Sequence, residues 1–273
     1  MEFSAFSTAL EGMVDTGFAS DLDAAAKYLH DLDIHYLDAF HGAYRRDPGA
    51  FDLYTQKLGF RINSLIGPSE STSEDPAVRK ASIDVGKQLV DLAVKYGASN
   101  LMLLPYTDDL VGKRCQHGVL EWMPEALAPV VEYATSAGIY VTVENYSVLD
   151  RPYTTIAHLK YLMEQVPGMK YTLDSGNFAC ICEDVLEAYE VLKPYIVNIH
   201  LKDWKFVDET VHGAIRTPED RYLAGTAVGA GILPSEELIK RIKADGYDGR
   251  FLLEVANPDK VATCAYINQI WNG

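Results

Sequence analysis

Cysteine is scarce and scattered: the 273-residue chain has four, at positions 115, 180, 182 and 264, and none forms a C-x-x-C pair. That excludes a disulfide scaffold and the usual thiolate zinc sites, and leaves reduced, mostly packed thiols of a cytosolic protein as the expectation. Cys180 and Cys182 would point the same way only in extended chain. Long apolar runs are missing too, since no stretch approaches the ~20 residues of a membrane helix. The first basic residue is Lys27, so no charged segment precedes an apolar run as in a secretory signal. Basic charge is in deficit: 24 Lys and Arg stand against 39 Asp and Glu, a formal net charge of −15, with no dense basic run. Such a chain repels phosphate backbones and anionic membranes, so neither nucleic acid nor a membrane is expected as partner. Low-complexity tracts and breaks in composition are absent as well, and the expectation is one domain over 1–273.

What the sequence does have is alternation. Short β-rich runs are followed by longer stretches with apolar residues three and four apart. Eight candidate strands are Phe3–Ser7, His35–Phe40, Phe60–Ile66, Leu101–Pro105, Ile139–Glu144, Lys170–Asp174, Ile196–Leu201 and Phe251–Val255. The segments between read as helices, the clearest from Pro76 to Tyr96 with a stripe of Val78, Ala81, Val85, Leu89, Leu92, Ala93 and Tyr96. Others lie near Asp21–Leu32, Pro124–Ala137, Thr155–Val166, Asp184–Leu192, Ser235–Ala244 and Pro258–Trp271. Gly59, Gly97, Gly138, Gly168 and Gly246 close several of them as left-handed terminators. Strand–helix alternation implies a parallel sheet with right-handed crossovers, and this length fits one α/β domain, a single (β/α)8 TIM barrel. An open doubly wound sheet would want G-x-G-x-x-G after the first strand; Thr8-Ala9-Leu10-Glu11-Gly12 stands there, and Gly225, Gly229 and Gly231 read as loop glycines.

Barrel chemistry sits at the C-terminal ends of the strands. The last four strands end in Glu144, Asp174, His200 and Glu254, each flanked by apolar residues of opposite parity: Val143, Leu173, Ile199 with Leu201, and Leu253 with Val255. Alternation turns the apolar neighbours to the helices and the four polar groups to the barrel axis. Three carboxylates buried together are costly unless a cation neutralises them. One divalent metal answers that cost, and an oxygen-rich set with one imidazole suits Mn2+, Mg2+ or Co2+, with Zn2+ also compatible. Lys202 shares the parity of His200 and can point at a substrate oxygen; Asp203 reads as a loop anchor. Two long strand-to-helix segments, 105–123 and 203–233, leave the same face and bring Tyr106, His117, Trp122, Trp204, Arg216 and Arg221 as candidates to cover a polyol or hold an anionic group, with surface loop or oligomer contact as the plain alternative. Asp38, His41 and Phe6 are weaker candidates for the pocket wall.

These residues resemble the xylose isomerase-like barrel superfamily, and within it the sugar phosphate isomerase/epimerase group. The resemblance rests on Val-Glu-Asn at 143–145, Leu-Asp-Ser-Gly-Asn at 173–177, His-Leu-Lys-Asp at 200–203, Gly-Ala-Gly-Ile at 229–232 and Asp-Gly-Tyr-Asp-Gly-Arg-Phe-Leu-Leu-Glu at 245–254. It implies one divalent metal held by Glu144, Asp174, His200 and Glu254, with Glu144 and Glu254 also moving protons on a small-molecule keto-sugar or oxidised polyol. Lys202, Asn177, Asn145, Trp204 and Arg221 are the expected substrate contacts, and the resemblance further implies a homo-oligomer. Two positions depart from the family's ketohexose epimerases: Asn177 stands where they carry histidine, and Phe206 where they carry arginine. The His-x-Lys-Asp form resembles relatives acting on inososes or dehydroshikimate, some of which are dehydratases. The DNA-repair branch, endonuclease IV, shares the barrel but uses three zinc ions and further histidines, which Asn63-Ser64 and Met102-Leu103-Leu104 do not supply. A metal-binding regulatory barrel without turnover is the non-enzymatic reading.

Overall fold

A computed structural model of the chain describes residues 1–105, 117–149 and 152–273, with the backbone alone over 117–119. Eight parallel strands close into a barrel: β1 (Phe3–Phe6), β2 (Ile34–Phe40), β3 (Arg61–Ser69), β4 (Asn100–Pro105), β5 (Tyr140–Glu144), β6 (Lys170–Asp174), β7 (Ile196–Leu201) and the last strand, β11 (Phe251–Leu253), which pairs with both β7 and β1. Every strand expected from the sequence is present, and helices fill the intervals. The helices begin and end for local reasons. Asp21 accepts from Ala24 N ahead of the helix Leu22–Asp31, and Asp184 from Leu186 N and Glu187 N ahead of Val185–Leu192. Gly59, Gly97, Gly138, Gly168 and Gly246 all take positive φ, as expected of left-handed terminators.

Three expectations need correction. The stripe expected over Pro76–Tyr96 holds only in its second half, and the helix runs Pro76–Lys95. Val78 and Val85 are exposed (38% and 40%), while Arg79, Ser82, Gly86, Leu89, Val90 and Ala93 face inward. Gly86 is the cause: a Cβ there would lie 2.6 Å from Val130 Cγ2, so the helix turns its bare backbone to His117–Ser136 and rotates the valines out. The second correction is at that neighbouring helix, which starts at His117, ahead of the expected Pro124. The third is that the long segment after β7 carries structure: β8 (Asp203–Val207), β9 (Ile215–Arg216) and β10 (Tyr222–Thr226) form an antiparallel sheet in the order β8-β10-β9. Tyr106 and Cys115, like the side chain of His117, lie outside the described residues. Among the described cysteines, Cys180 and Cys264 are packed and Cys182 is exposed. Among the described residues, no helix is long and apolar enough to cross a membrane.

Candidate metal centre and active site

Four strand ends converge at the barrel mouth. Glu144 closes β5, Asp174 closes β6, His200 sits near the end of β7 in register with Asp174, and Glu254 follows β11. One ligand atom from each lies within 4.8 Å of the other three. His200 Nδ1 is 2.5 Å from Glu144 Oε1 and 3.9 Å from Glu254 Oε2. Glu144 and Glu254 line a cleft of about 260 Å³, and Asp174 and His200 are wholly buried beside them.

Local sequence explains how each group is aimed. Asp174 Oδ1 accepts from Gly176 N and Asn177 N (2.7 and 2.9 Å), so the turn after β6 holds one oxygen and leaves Oδ2 to face the cluster. Ser175 Oγ donates to Lys202 O and accepts from Lys202 N, and Trp204 Nε1 donates to Gly176 O (2.8 Å). The Asp-Ser-Gly-Asn and His-Leu-Lys-Asp-Trp segments are thus laced together across the β6–β7 pair. Gly176 is required there: a Cβ would lie 2.7 Å from Trp204 Nε1 and 2.8 Å from Lys202 Cγ. Asp203 acts as the loop anchor expected of it. Wholly buried, it accepts from the backbone N–H groups of Trp204, Gly229, Gly231 and Leu233 and from Ser235 Oγ.

The charges answer one another. Lys202 Nζ lies 3.0 Å from Asp174 Oδ2 and 2.6 Å from Glu254 Oε1, and donates to Asn177 Oδ1 at 3.2 Å. Burial alone would depress the Lys202 ammonium, but Asp174, Glu254 and Glu144 push it above its ordinary value. Burial would likewise lower His200, yet the Glu144 carboxylate, and then Asp38, raise it well above the usual imidazole range. Glu254 is raised to about 8, first by burial and then by Asp174 and Glu144, against the opposing pull of Lys202 and His200. The Lys202 and His200 shifts share one source, the neighbouring carboxylates, whereas that of Glu254 comes first from burial.

The donor set also fits a metal ion on a second observation. Glu144 Oε1, Asp174 Oδ2 and His200 Nδ1 are buried and make no hydrogen bond. Their close neighbours are charged groups: Lys202 Nζ pairs with Asp174 Oδ2 at 3.0 Å and His200 Nδ1 with Glu144 Oε1 at 2.5 Å. Buried polar atoms are rarely left this way without a ligand to satisfy them. Three oxygen ligands and one imidazole suit a hard or borderline divalent cation.

Other expected residues divide. Lys202, Asn177 and Phe6 line the cleft. Asn145 does not: it is wholly buried, its Oδ1 accepts from Asp174 N and Tyr171 OH, and its Nδ2 donates to Asp174 O. It fixes the β5–β6 seam under the quartet. Trp204 packs on Gly176 and Lys202 and is absent from the cleft lining. Arg221 lies over the Phe206 ring, at the far end of the β8–β10 hairpin from Asp203, and Arg216 is paired with Asp220. Trp122 lies under the Arg79 guanidinium, and His41 lines a separate cavity with Tyr44. Asp38 is buried below the cleft, against His200. The sequence reading missed Phe40, Met102, Leu104, Tyr146 and Ser147 in the lining. For Phe40, Met102 and Leu104 the signal was available, since they stand at the ends of β2 and β4 as Phe6 does at the end of β1.

The fold and site together define a closed parallel barrel with a carboxylate-rich, metal-compatible cluster at its C-terminal mouth. The chain belongs to the xylose isomerase-like TIM barrel family, whose profile matches residues 26–266. SgbU of Haemophilus influenzae is 25% identical over 186 residues, covering 67% of this chain and 60% of that one. The L-ribulose-5-phosphate 3-epimerase UlaE of Escherichia coli O157:H7 is 23% identical over 185 residues, covering 67% of this chain and 59% of that enzyme. The match therefore spans about three fifths of the length of these relatives. Among solved structures, a xylose isomerase-like barrel of Mycobacterium smegmatis in complex with magnesium superimposes with a TM-score of 0.69 at 16% identity, over 91% of this chain and 87% of that one.

Proposed function

We propose that the protein is a divalent-metal-dependent isomerase or epimerase that acts on a keto-sugar or oxidised polyol by proton transfer through an enediolate. One observation carries the reading: Glu144, Asp174, His200 and Glu254 bring one ligand atom each within 4.8 Å of one another at the barrel mouth, where Glu144 and Glu254 line a cleft of about 260 Å³. The likeness to UlaE supports the keto-sugar class. Glu144, Asp174, His200 and Glu254 would hold the ion, with Mn2+, Mg2+, Co2+ and Zn2+ all compatible with the ligand set. When bound, the ion supplies Lewis-acid charge that draws electron density from a carbonyl and a neighbouring hydroxyl oxygen.

The chain's own residues do the rest. One of the two glutamates takes the proton from the hydroxyl-bearing carbon beside the carbonyl; the C–H electron pair becomes the enediolate double bond and the carbonyl π pair moves onto its oxygen. The other, protonated, returns a proton to carbon. Lys202 and Asn177 orient substrate oxygens from the β6 and β7 side. Phe6, Phe40, Met102 and Leu104 keep water from the reacting carbon.

The test is proton exchange. In deuterated solvent, with L-ribulose 5-phosphate and a panel of keto-sugars, the metal-loaded protein incorporates deuterium at a substrate carbon. Glu254→Gln loses the exchange while still binding metal. Normal exchange in that variant contradicts the assignment, and loss of water from the product would move the protein to the dehydratases.

A further inference from the structure

The two nitrogens of His200 face different surroundings. Nδ1 points at Glu144 and Glu254, whereas Nε2 points down the barrel axis. A metal at Nδ1 requires the proton on Nε2, and a buried Nε2–H requires an acceptor. Asn198, two residues earlier on β7 and therefore on the same inward face, brings its Nδ2 to 3.2 Å from Nε2, but its Oδ1 is already taken by Asn63 Nδ2. Asn198 is thus a donor here. The acceptor within reach is Asp38 Oδ2, on β2, at 3.5 Å.

We propose that Asp38 is the positioning residue of the metal centre: it accepts the Nε2–H of His200 and so leaves the Nδ1 lone pair facing the three carboxylates. The inference rests on the metal reading above and adds a residue that neither ligates metal nor meets substrate.

Asp38 is itself held from below. Asn63 Nδ2 donates to its Oδ1 at 2.9 Å and Asn198 Nδ2 to its Oδ2 at 3.2 Å. The two amides cannot be reversed freely. Arg250 Nη1 donates to Asn63 Oδ1 at 3.2 Å, and a guanidinium has only donors, so Asn63 must turn its nitrogen to Asp38. Asn63 Nδ2 then fixes Asn198 Oδ1 in turn. Arg250 is anchored by Glu2 at 3.1 Å and lies 3.6 Å from the Tyr36 ring centroid. A line of polar groups thus runs from the foot of the barrel to the metal histidine. Carboxylate partners of ligating histidines commonly fix ring orientation and raise ligand basicity.

The experiment is a Mn2+ titration of metal-stripped protein, with free Mn2+ read from its EPR signal. It compares the unmodified protein with Asp38→Asn, Asp38→Ala and the control Ser64→Ala, which removes a buried hydroxyl on β3 that bonds Asn100. The expected losses in affinity are about tenfold for Asp38→Asn and about a hundredfold for Asp38→Ala. Asparagine rescues in part, because its carbonyl can reach the ring only by giving up one amide partner. Ser64→Ala should bind Mn2+ as the unmodified protein does. Affinity within about twofold of the unmodified protein in both Asp38 variants overturns the role, as does an equal loss in Ser64→Ala. If Asp38→Ala fails to fold, Asp38→Asn decides alone: unchanged binding there overturns it. Unmodified protein that takes up no Mn2+ overturns the metal reading and this inference together, whereas normal uptake with unchanged variants removes only Asp38.

Discussion

The mouth of the barrel is built from two unlike halves. The ends of β1, β2 and β4 contribute Phe6, Phe40, Met102 and Leu104; the ends of β5, β6, β7 and β11 contribute Glu144, Asn177, Lys202 and Glu254. Phe6 joins the halves, with its ring edge-on to His200 at 5.4 Å and against Phe40 at 5.4 Å. The same fold gives both, since each set occupies equivalent strand-end positions. The difference teaches a division of labour: one half supplies charge, to which the proposed reaction assigns the proton transfers, and the other supplies shape and dryness. Dryness matters because ionic groups act more strongly where water is excluded.

Substitutions should therefore separate the two halves. The largest effect belongs to the ionic half: Glu254→Gln should slow deuterium incorporation about a thousandfold. A fall of less than tenfold would break the division. Next comes Gly176→Ala, where the new methyl meets Trp204 and Lys202. It should destabilise the protein by about 2 kcal/mol in denaturant unfolding. Unchanged stability would mean that the β6–β7 lacing is not tight. In the apolar half, Phe6→Leu should lower kcat/KM about tenfold with Mn2+ affinity unchanged. Weakened Mn2+ binding instead would place Phe6 in the ionic half.

The remaining prediction is the pH dependence of the metal-free protein. The folded state raises Glu254 from its ordinary value to about 8, so between roughly pH 4.5 and 8 it holds a proton that the unfolded chain has lost. The raised His200 acts in the same sense above its ordinary imidazole value. Both contributions to stability are present at low pH and fall away as pH climbs through the folded-state values. Denaturant midpoints of chelated protein should therefore drop from pH 5 to pH 8, and Glu254→Gln should flatten that slope. An unaltered slope in the variant would show that Glu254 does not titrate in this range.

Much of this was legible in the sequence, for reasons that also mark where it stopped. The barrel strands announce themselves as apolar runs bounded by glycine and polar turns, because both faces of a parallel sheet are buried. Glu144, Asp174, His200 and Glu254 were legible because a strand end is a fixed address and parity gives direction. Parity also shows why Asn145 was misread: as the neighbour of Glu144 it turns to the opposite side, into the β5–β6 seam. Arg221 was misread because its place depends on the β8–β10 pairing, which the run of loop residues conceals. The exposure of Val78 and Val85 depends on Val130 meeting Gly86, and Asp38 meets Asn63, Asn198 and His200 only through barrel closure. Contacts of that kind are set by tertiary register and leave no local pattern.

The central claim is that the quartet is a metal site. It is tested most directly by anomalous X-ray diffraction from crystals of the protein grown with Mn2+. The account predicts one anomalous peak per chain, enclosed by Glu144, Asp174, His200 and Glu254, with His200 Nδ1 turned to it. Ordered side chains with no peak there, and Lys202 still bridging Asp174 and Glu254 at saturating Mn2+, would contradict it.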